Sequence, residues 1–299
     1  METAEAIRHW KQKRNAVILA HFYQLGEIQD AADFVGDSLE LAKKARDATA
    51  DIIVFCGVRF MAETAKILNP QKTVLLPAPD AGCPMADMIT ASDVLRMRAE
   101  HPGAAVMCYV NSDVSVKAVS DICCTSSNAL RVARSLREEE IIFVPDKCLG
   151  GYVASFLPEK RFILPEGYCP THHRITAADI TASRAAKPGA KVLVHPECTP
   201  DVAALADFVG STAQIIDAAV RSDAKEFLIG TEEGVLHRLQ KLCPDKRFYN
   251  TGRTQVCPNM KKTRIESVLL SLERLQYPVT VEEGLAKRAL LPLERMFAV

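Results

Sequence analysis

Short apolar runs recur along the chain, and three of them head long stretches of similar order: residues 16–20, 105–108 and 191–194. None alternates polar with apolar. Continuous apolar runs of this length fit strands buried on both faces of a parallel sheet. After each run comes a small polar turn and then a helical pattern. The pairs are Ser38 into 39–48, Ser126 into 129–136 and Thr212 into 215–219. A second strand-like run follows at 51–56, 141–144 and 226–229, and then a further helix and strand. Strands alternating with helices predict βαβ crossovers, hence parallel sheets with helices on both faces.

The same order of signals appears three times, and the residues themselves repeat. Cys83-Pro84, Cys169-Pro170 and Cys257-Pro258 close the three stretches at spacings of 86 and 88 residues. Residues 83–106 and 169–192 share twelve identities in 24 positions. Ala32-Asp33-Phe34-Val35-Gly36 recurs as Ala206-Asp207-Phe208-Val209-Gly210. The first two Cys-Pro segments lead into helices at 91–100 and 177–186, each ended by Pro-Gly, and the third into a helix at 262–275. The expected fold is α/β, with three pseudo-symmetric αβα domains carrying parallel sheets around a central active site. Their expected bounds are 1–83, 84–169 and 170–257. The remainder, 258–299, is expected to pack back on the first unit, beside an N-terminal helix at 4–13.

Composition narrows the class. Of 299 residues, 48% are hydrophobic and 25% charged, as in an ordinary globular protein. The formal net charge is zero, so nothing points to nucleic acid or to an anionic membrane. No apolar stretch is long enough to span a bilayer. Met1 to Arg14 is polar and charged, without a signal-peptide core, and a cytoplasmic location is expected. Ten cysteines in a chain of this length do not suggest a disulfide framework, which belongs to short secreted domains. Cys56, Cys108, Cys123, Cys124, Cys148, Cys198 and Cys243 read as buried small hydrophobes, the vicinal pair Cys123-Cys124 included.

The candidate chemistry lies beyond the strand ends, where ligands collect in open α/β sheets. His21 and Tyr23, Tyr109 and Asn111, and His195 and Glu197 follow the first strand of successive units. A spacing of two puts both members of a pair on one side of an extended chain. Ser38, Ser126, Ser211 and Thr212 immediately precede helical patterns. They are expected to cap helices and to offer anion sites for phosphate or carboxylate. Cys83, Cys169 and Cys257, one per unit, predict three thiolates converging on a pseudo-threefold axis with a coordination position left open. Structural zinc sites use short Cys-x-x-Cys loops, and none occurs here. A [4Fe–4S] cluster held by three thiolates would leave one iron free to act as a Lewis acid, which suits dehydration.

Ten stretches carry a resemblance to a known family. They are His21-Phe22-Tyr23-Gln24, Asp33 through Ser38, Gly57 through Glu63, Cys83-Pro84-Met85-Ala86, Tyr109 through Ser112, Thr125 through Asn128, Cys169-Pro170-Thr171-His172, His195-Pro196-Glu197-Cys198, Val209 through Thr212 and Cys257 through Lys261. Together they resemble the quinolinate synthases, iron–sulfur enzymes of de novo NAD biosynthesis, over nearly the whole chain. The resemblance implies a triangular three-domain fold and condensation of iminoaspartate with dihydroxyacetone phosphate to quinolinate, with loss of phosphate and water. It implies Cys83, Cys169 and Cys257 as ligands of a [4Fe–4S] cluster. It also implies that His21, Tyr23, Tyr109, Asn111, His172, His195 and Glu197 surround the substrate. Ser38, Ser126, Ser211 and Thr212 would then bind its anionic groups. Glu197 with His195 is the expected base and partner, and Tyr23 the alternative proton shuttle. An L-aspartate oxidase or aspartate dehydrogenase would supply iminoaspartate. Cys257-Pro258-Asn259-Met260 lacks the second cysteine that some relatives carry, so a redox switch there is not expected. Two other readings stand beside this one: a three-cysteine radical-SAM enzyme of the diphthamide type, and a non-enzymatic iron–sulfur or zinc scaffold or sensor.

Overall fold

A computed structural model describes residues 3–299. The apolar runs become the inner strands of three four-stranded sheets. The first holds β1 (Ala16–His21), β2 (Phe34–Gly36), β3 (Ile52–Cys56) and β4 (Thr73–Leu75). The second holds β5 (Ala105–Tyr109), β6 (Ile122–Cys124), β7 (Glu140–Val144) and β8 (Arg161–Ile163). The third holds β9 (Lys191–Val194), β10 (Phe208–Val209), β11 (Glu226–Gly230) and β12 (Arg247–Asn250). Every pairing is parallel, and each sheet has the order second, first, third, fourth strand. The inner strands are almost wholly buried, as their unbroken apolar runs require.

Helices precede and follow the strands in the same rhythm. They are α1 (Thr3–Lys13), α2 (Gly26–Ala31), α3 (Ser38–Arg46) and α4 (Arg59–Leu68) in the first unit. The second has α5 (Ala91–Glu100), α6 (Val114–Lys117), α7 (Ala129–Ser135) and α8 (Lys147–Ala154), then the short α9 (Pro170–His173). The third has α10 (Ala177–Ala186), α11 (Pro200–Ala203), α12 (Thr212–Arg221) and α13 (Val235–Leu242). The chain ends in α14 (Ile265–Arg274) and α15 (Glu283–Ala298). The fold is thus α/β, three pseudo-symmetric αβα units. No helix of the described residues is long and apolar enough to cross a membrane.

One device repeats in every unit. Asp33, Asp121 and Asp207 each open the edge strand and bracket one residue of the first strand. Their Oδ2 atoms accept from the backbone N–H of Ile18, Val106 and Val192 at 2.8, 2.7 and 2.8 Å. Their own N–H groups donate to the carbonyls of those same residues. A basic side chain from the preceding helix pairs with each carboxylate: Lys11, Arg98 and Arg184. The edge strands β2, β6 and β10 and the helices α2, α6 and α11 are two to six residues long. Periodicity cannot register elements that short, and the sequence reading has none of them.

Two expectations change. Residues 262–275 are not one helix. Met260–Lys262 forms a separate 3-10 turn, Thr263 is extended, and α14 starts after Arg264, whose backbone is extended as an N-cap. The 258–299 segment also spans two units rather than packing on the first alone. α14 lies on α1 and β3, with Arg14 donating to the Glu273 carbonyl. α15 lies on β6 and α6 as well as α4, and Arg295 donates to the Asp121 carbonyl. Ala289, Leu293 and Met296 of α15 enter an apolar core shared by the first and second units. The third unit meets the first through Phe22, which is buried among Leu193, Ile216 and Phe227. Gly234 sits against this joint. A Cβ there would lie 2.7 Å from the Phe22 carbonyl oxygen and 2.8 Å from Tyr23 Cα, so only glycine fits.

Candidate active site

The three first strands end on one cavity, lined by residues of all three units. His21, Tyr109 and His195 stand at the strand ends. Tyr23, Asn111 and Glu197 follow two residues later, and all six line the wall. The spacing has a local consequence. The N–H of Tyr23 donates to His21 Nδ1 at 3.1 Å, and that of Glu197 to His195 Nδ1 at 3.2 Å. With Nδ1 accepting, each neutral ring carries its proton on Nε2. Burial lowers both histidines to about 3, His195 adding to the effect on His21, while Glu197 opposes it in both. Both rings are therefore neutral donors. His195 Nε2 meets Ser126 Oγ at 3.2 Å.

Glu197 is the buried carboxylate of the site. Tyr109 donates to its Oε1 at 2.6 Å, and His172 Nδ1 lies 2.7 Å from its Oε2. Burial pushes this carboxyl up, but His172, His195 and the hydrogen bonds from His172 and Tyr109 outweigh it and hold Glu197 below the ordinary carboxylate range. Burial and the Glu197 charge push the hydroxyls of Tyr23 and Tyr109 well above the usual phenol range, so both stay protonated. Tyr23 Oη lies between Thr212 Oγ1 at 2.8 Å and Thr231 Oγ1 at 2.7 Å. His172 stacks on His195 with ring centroids 4.7 Å apart. Asn111 Oδ1 is buried with no partner among the described residues, on a wall open to a ligand.

Ser38, Ser126 and Thr212 line the same cavity, and Ser211 does not. The capping expectation is corrected in two of three units. Asp37, not Ser38, caps α3, accepting from the N–H groups of Leu39 and Glu40 while Glu40 accepts from Asp37 N–H. α7 starts at Asn128 without a side-chain cap. Ser211 does cap α12, accepting from Gln214 N–H at 3.3 Å. A cap oxygen turns back to its own helix, whereas the next residue is free to face outward. That is why Ser38 and Thr212 reach the cavity and Ser211 sits behind it, hydrogen-bonded to Ser127 Oγ at 2.8 Å.

Cys83, Cys169 and Cys257 line the cavity and are the three partly exposed cysteines among the described residues; the other seven are buried elsewhere. Each sulfur receives the backbone N–H of the third residue on: Ala86, His172 and Met260. Thr171 adds a side-chain hydrogen bond to Cys257. Burial nevertheless raises all three thiols, Cys83 to about 12, and the sulfurs oppose one another's ionisation. Such thiols ionise when a cation sits among them, and the three N–H donors are already aimed at the resulting thiolates. The set fits a metal centre. Cys169, His172 and Glu197 also bring ligand atoms within 4.8 Å of one another.

Several contributors escape a reading of motifs. Lys261 Nζ donates to the Tyr23 carbonyl at 2.6 Å and pairs with buried Glu232 at 2.9 Å. Glu232 in turn accepts from the N–H of Cys257 at 3.1 Å. Burial raises the Glu232 carboxyl and Lys261 opposes this. The tether fastens the third cysteine loop to the first unit. Lys261 was visible as part of the last motif; Glu232 and Thr231 appear only when the third strands are aligned by register. Ala20 pairs with Cys56, Cys108 with Val144 and Val194 with Gly230, so Gly57, Pro145 and Thr231 correspond, as do Val58, Asp146 and Glu232.

A family model described as Quinolinate synthetase A protein matches residues 5–298. A quinolinate synthase of Caldicellulosiruptor saccharolyticus is 53% identical over 290 residues, covering 96% of each chain. One of Alkaliphilus metalliredigens is 52% identical over 295 residues, covering 99% of this chain and 97% of its own. One of Methanosarcina barkeri is 52% identical over 298 residues, covering 100% and 98%. A match of this extent takes in every strand, the three cavity cysteines and the residues at the strand ends, and the chain belongs to the quinolinate synthetase A family.

Proposed function

We propose that the chain condenses iminoaspartate with dihydroxyacetone phosphate to quinolinate, releasing phosphate and water. One observation carries the reading: three thiols from three units and a tyrosine–carboxylate–histidine array open on a single cavity. Family membership sets aside the radical-SAM and scaffold readings.

Cys83, Cys169 and Cys257 would hold a [4Fe–4S] cluster with one iron free of protein ligands. When bound, such a centre supplies Lewis-acid assistance to the loss of a hydroxyl. Glu197 is ionised and held by Tyr109 and His172, which suits a general base for the carbon-bound proton of iminoaspartate. His21 and His195 offer Nε2–H groups to substrate oxygens in a buried wall, where such donors stabilise developing charge. Asn111 Oδ1 is free to accept from the substrate nitrogen. Tyr23 and Tyr109 are protonated, and Tyr23 is the hydroxyl that can donate to a departing oxygen. Ser38, Ser126 and Thr212 suit the phosphate and carboxylates. Ser211 acts from behind the wall as a cap.

Iminoaspartate arises by two-electron oxidation of the aspartate amine, the work of an L-aspartate oxidase or aspartate dehydrogenase. A cytoplasmic location belongs to the same reading. An anaerobic assay with both substrates tests it. Quinolinate should form; an intact metal centre with no product would overturn the assignment.

A further inference from the structure

Thr231 lies one residue beyond β11, fully buried behind the cavity wall. Its Oγ1 is 2.7 Å from Tyr23 Oη and 2.8 Å from His172 Nε2. The other nitrogen of that ring, Nδ1, is 2.7 Å from Glu197 Oε2 and 3.2 Å from Cys169 Sγ. Tyr23 Oη is also 2.8 Å from Thr212 Oγ1. Hydrogen-bond accounting sets the inner end of this chain. A carboxylate only accepts, so His172 presents a proton on Nδ1 to Glu197. Its Nε2 and the Tyr23 hydroxyl both meet the single hydroxyl of Thr231. The chain is continuous, from Thr212 through Tyr23, Thr231 and His172 to Glu197, whose far oxygen is held by Tyr109 at 2.6 Å.

The repeat shows that this hydroxyl is not a demand of the fold. Gly57 and Pro145 occupy the matching positions in the other two units, and neither has a side-chain donor. We propose that Thr231 is a positioning residue that holds the His172 ring against Glu197 and, with the same hydroxyl, holds Tyr23 Oη in place. Without it His172 Nε2 and Tyr23 Oη lose the partner they share. The base and the acid of the site would then lose their common reference. The inference rests on Glu197 being the general base of the proposed reaction.

Thr231→Val removes the hydroxyl at nearly constant volume, and Thr231→Ser keeps it. In the metal-loaded protein, Thr231→Val should lower kcat about 10- to 100-fold, the usual cost of losing the group that orients a functional histidine. KM for both substrates and iron content should stay within about twofold of wild type, and Thr231→Ser should restore most of kcat. Nitrogen-15 NMR of the full-length chain, with the His172 signals identified by their loss in His172→Gln, should show the same hydrogen-bonded Nε2 signal in wild type and Thr231→Ser. That signal should move in Thr231→Val. A kcat in Thr231→Val within twofold of wild type overturns the proposal. So does a serine variant no better than valine, an unchanged Nε2 signal, or an activity loss that merely follows iron loss. If wild type makes no quinolinate, the base assignment fails instead, and the Nε2 signal still reports on Thr231 by itself.

Discussion

The two ends of the three sheets follow different rules. At the amino-terminal end the units are chemically alike. Asp33, Asp121 and Asp207 hold the same backbone groups, and Thr90 with Asp93 and Thr176 with Asp179 form the same capping box. At the carboxyl-terminal end the matching places diverge: His21, Tyr109 and His195; Tyr23, Asn111 and Glu197; Gly57, Pro145 and Thr231; Val58, Asp146 and Glu232. The first end answers a problem of backbone hydrogen bonding, which is the same in all units and so has one solution. The second faces a ligand without threefold symmetry. Only the cysteines stay identical there, each with its N–H donor three residues on. A metal centre can use three equivalent ligands; an unsymmetrical substrate cannot use three equivalent walls.

The largest break in this pattern comes from the cysteines. Cys83→Ser, Cys169→Ser or Cys257→Ser should each reduce iron content and quinolinate formation to background in anaerobically purified protein, because removing one of the three proposed ligands leaves the centre underheld. Cys56→Ser and Cys148→Ser should keep both. Iron and sulfide analysis decides, and loss of the centre in Cys148→Ser would redraw the ligand set. Glu197→Gln comes next. It keeps the shape of the buried side chain but removes the proposed base, so turnover should fall about 10²- to 10⁴-fold with iron retained. Turnover near wild type in that variant would take Glu197 out of the proton chemistry.

The two ends also differ in what could be read without coordinates. The inner strands show in unbroken apolar runs, and the helices at 91–100 and 177–186 show in their Cys-Pro lead-ins and Pro-Gly stops. The cavity pairs show because each follows a strand by the same count. Thr231 does not show, because its importance lies in distances to Tyr23 and His172, 208 and 59 residues away. The place of α15 is equally hidden. Its apolar positions require a partner but do not say which unit provides it, and here Leu293 and Met296 join a core fed by two units. Capping is ambiguous in the sequence for a local reason: Asp37 and Ser38 are both good cap residues, and only backbone geometry selects the aspartate.

A smaller effect sharpens the comparison from the scaffold side. Asp33→Ala, Asp121→Ala and Asp207→Ala each leave one first-strand N–H without its acceptor, at roughly 1–3 kcal/mol apiece. Urea unfolding should find three similar losses, with kcat per folded molecule unchanged. Matched substitutions at the other end, His21→Phe, Tyr109→Phe and His195→Phe, should differ from one another in kcat and KM. Three unequal losses at the aspartates would show that the scaffold is less symmetric in energy than in shape.

The smallest expected effect separates a cap from a wall. Motif alignment puts Ser211 beside Thr212 among the substrate contacts, yet Ser211 Oγ faces Gln214 N–H and Ser127 while Thr212 Oγ1 faces Tyr23. Ser211→Ala should therefore cost about 1 kcal/mol of stability, the usual worth of an N-cap side chain, and leave KM for both substrates within about twofold. Thr212→Val removes a hydrogen-bond partner of Tyr23 and should change kcat or KM while stability moves little. A tenfold rise in KM in Ser211→Ala would mean that the serine turns into the cavity when substrate is bound. The alanine variant thus reads whether the third unit meets its ligand with one hydroxyl or with two.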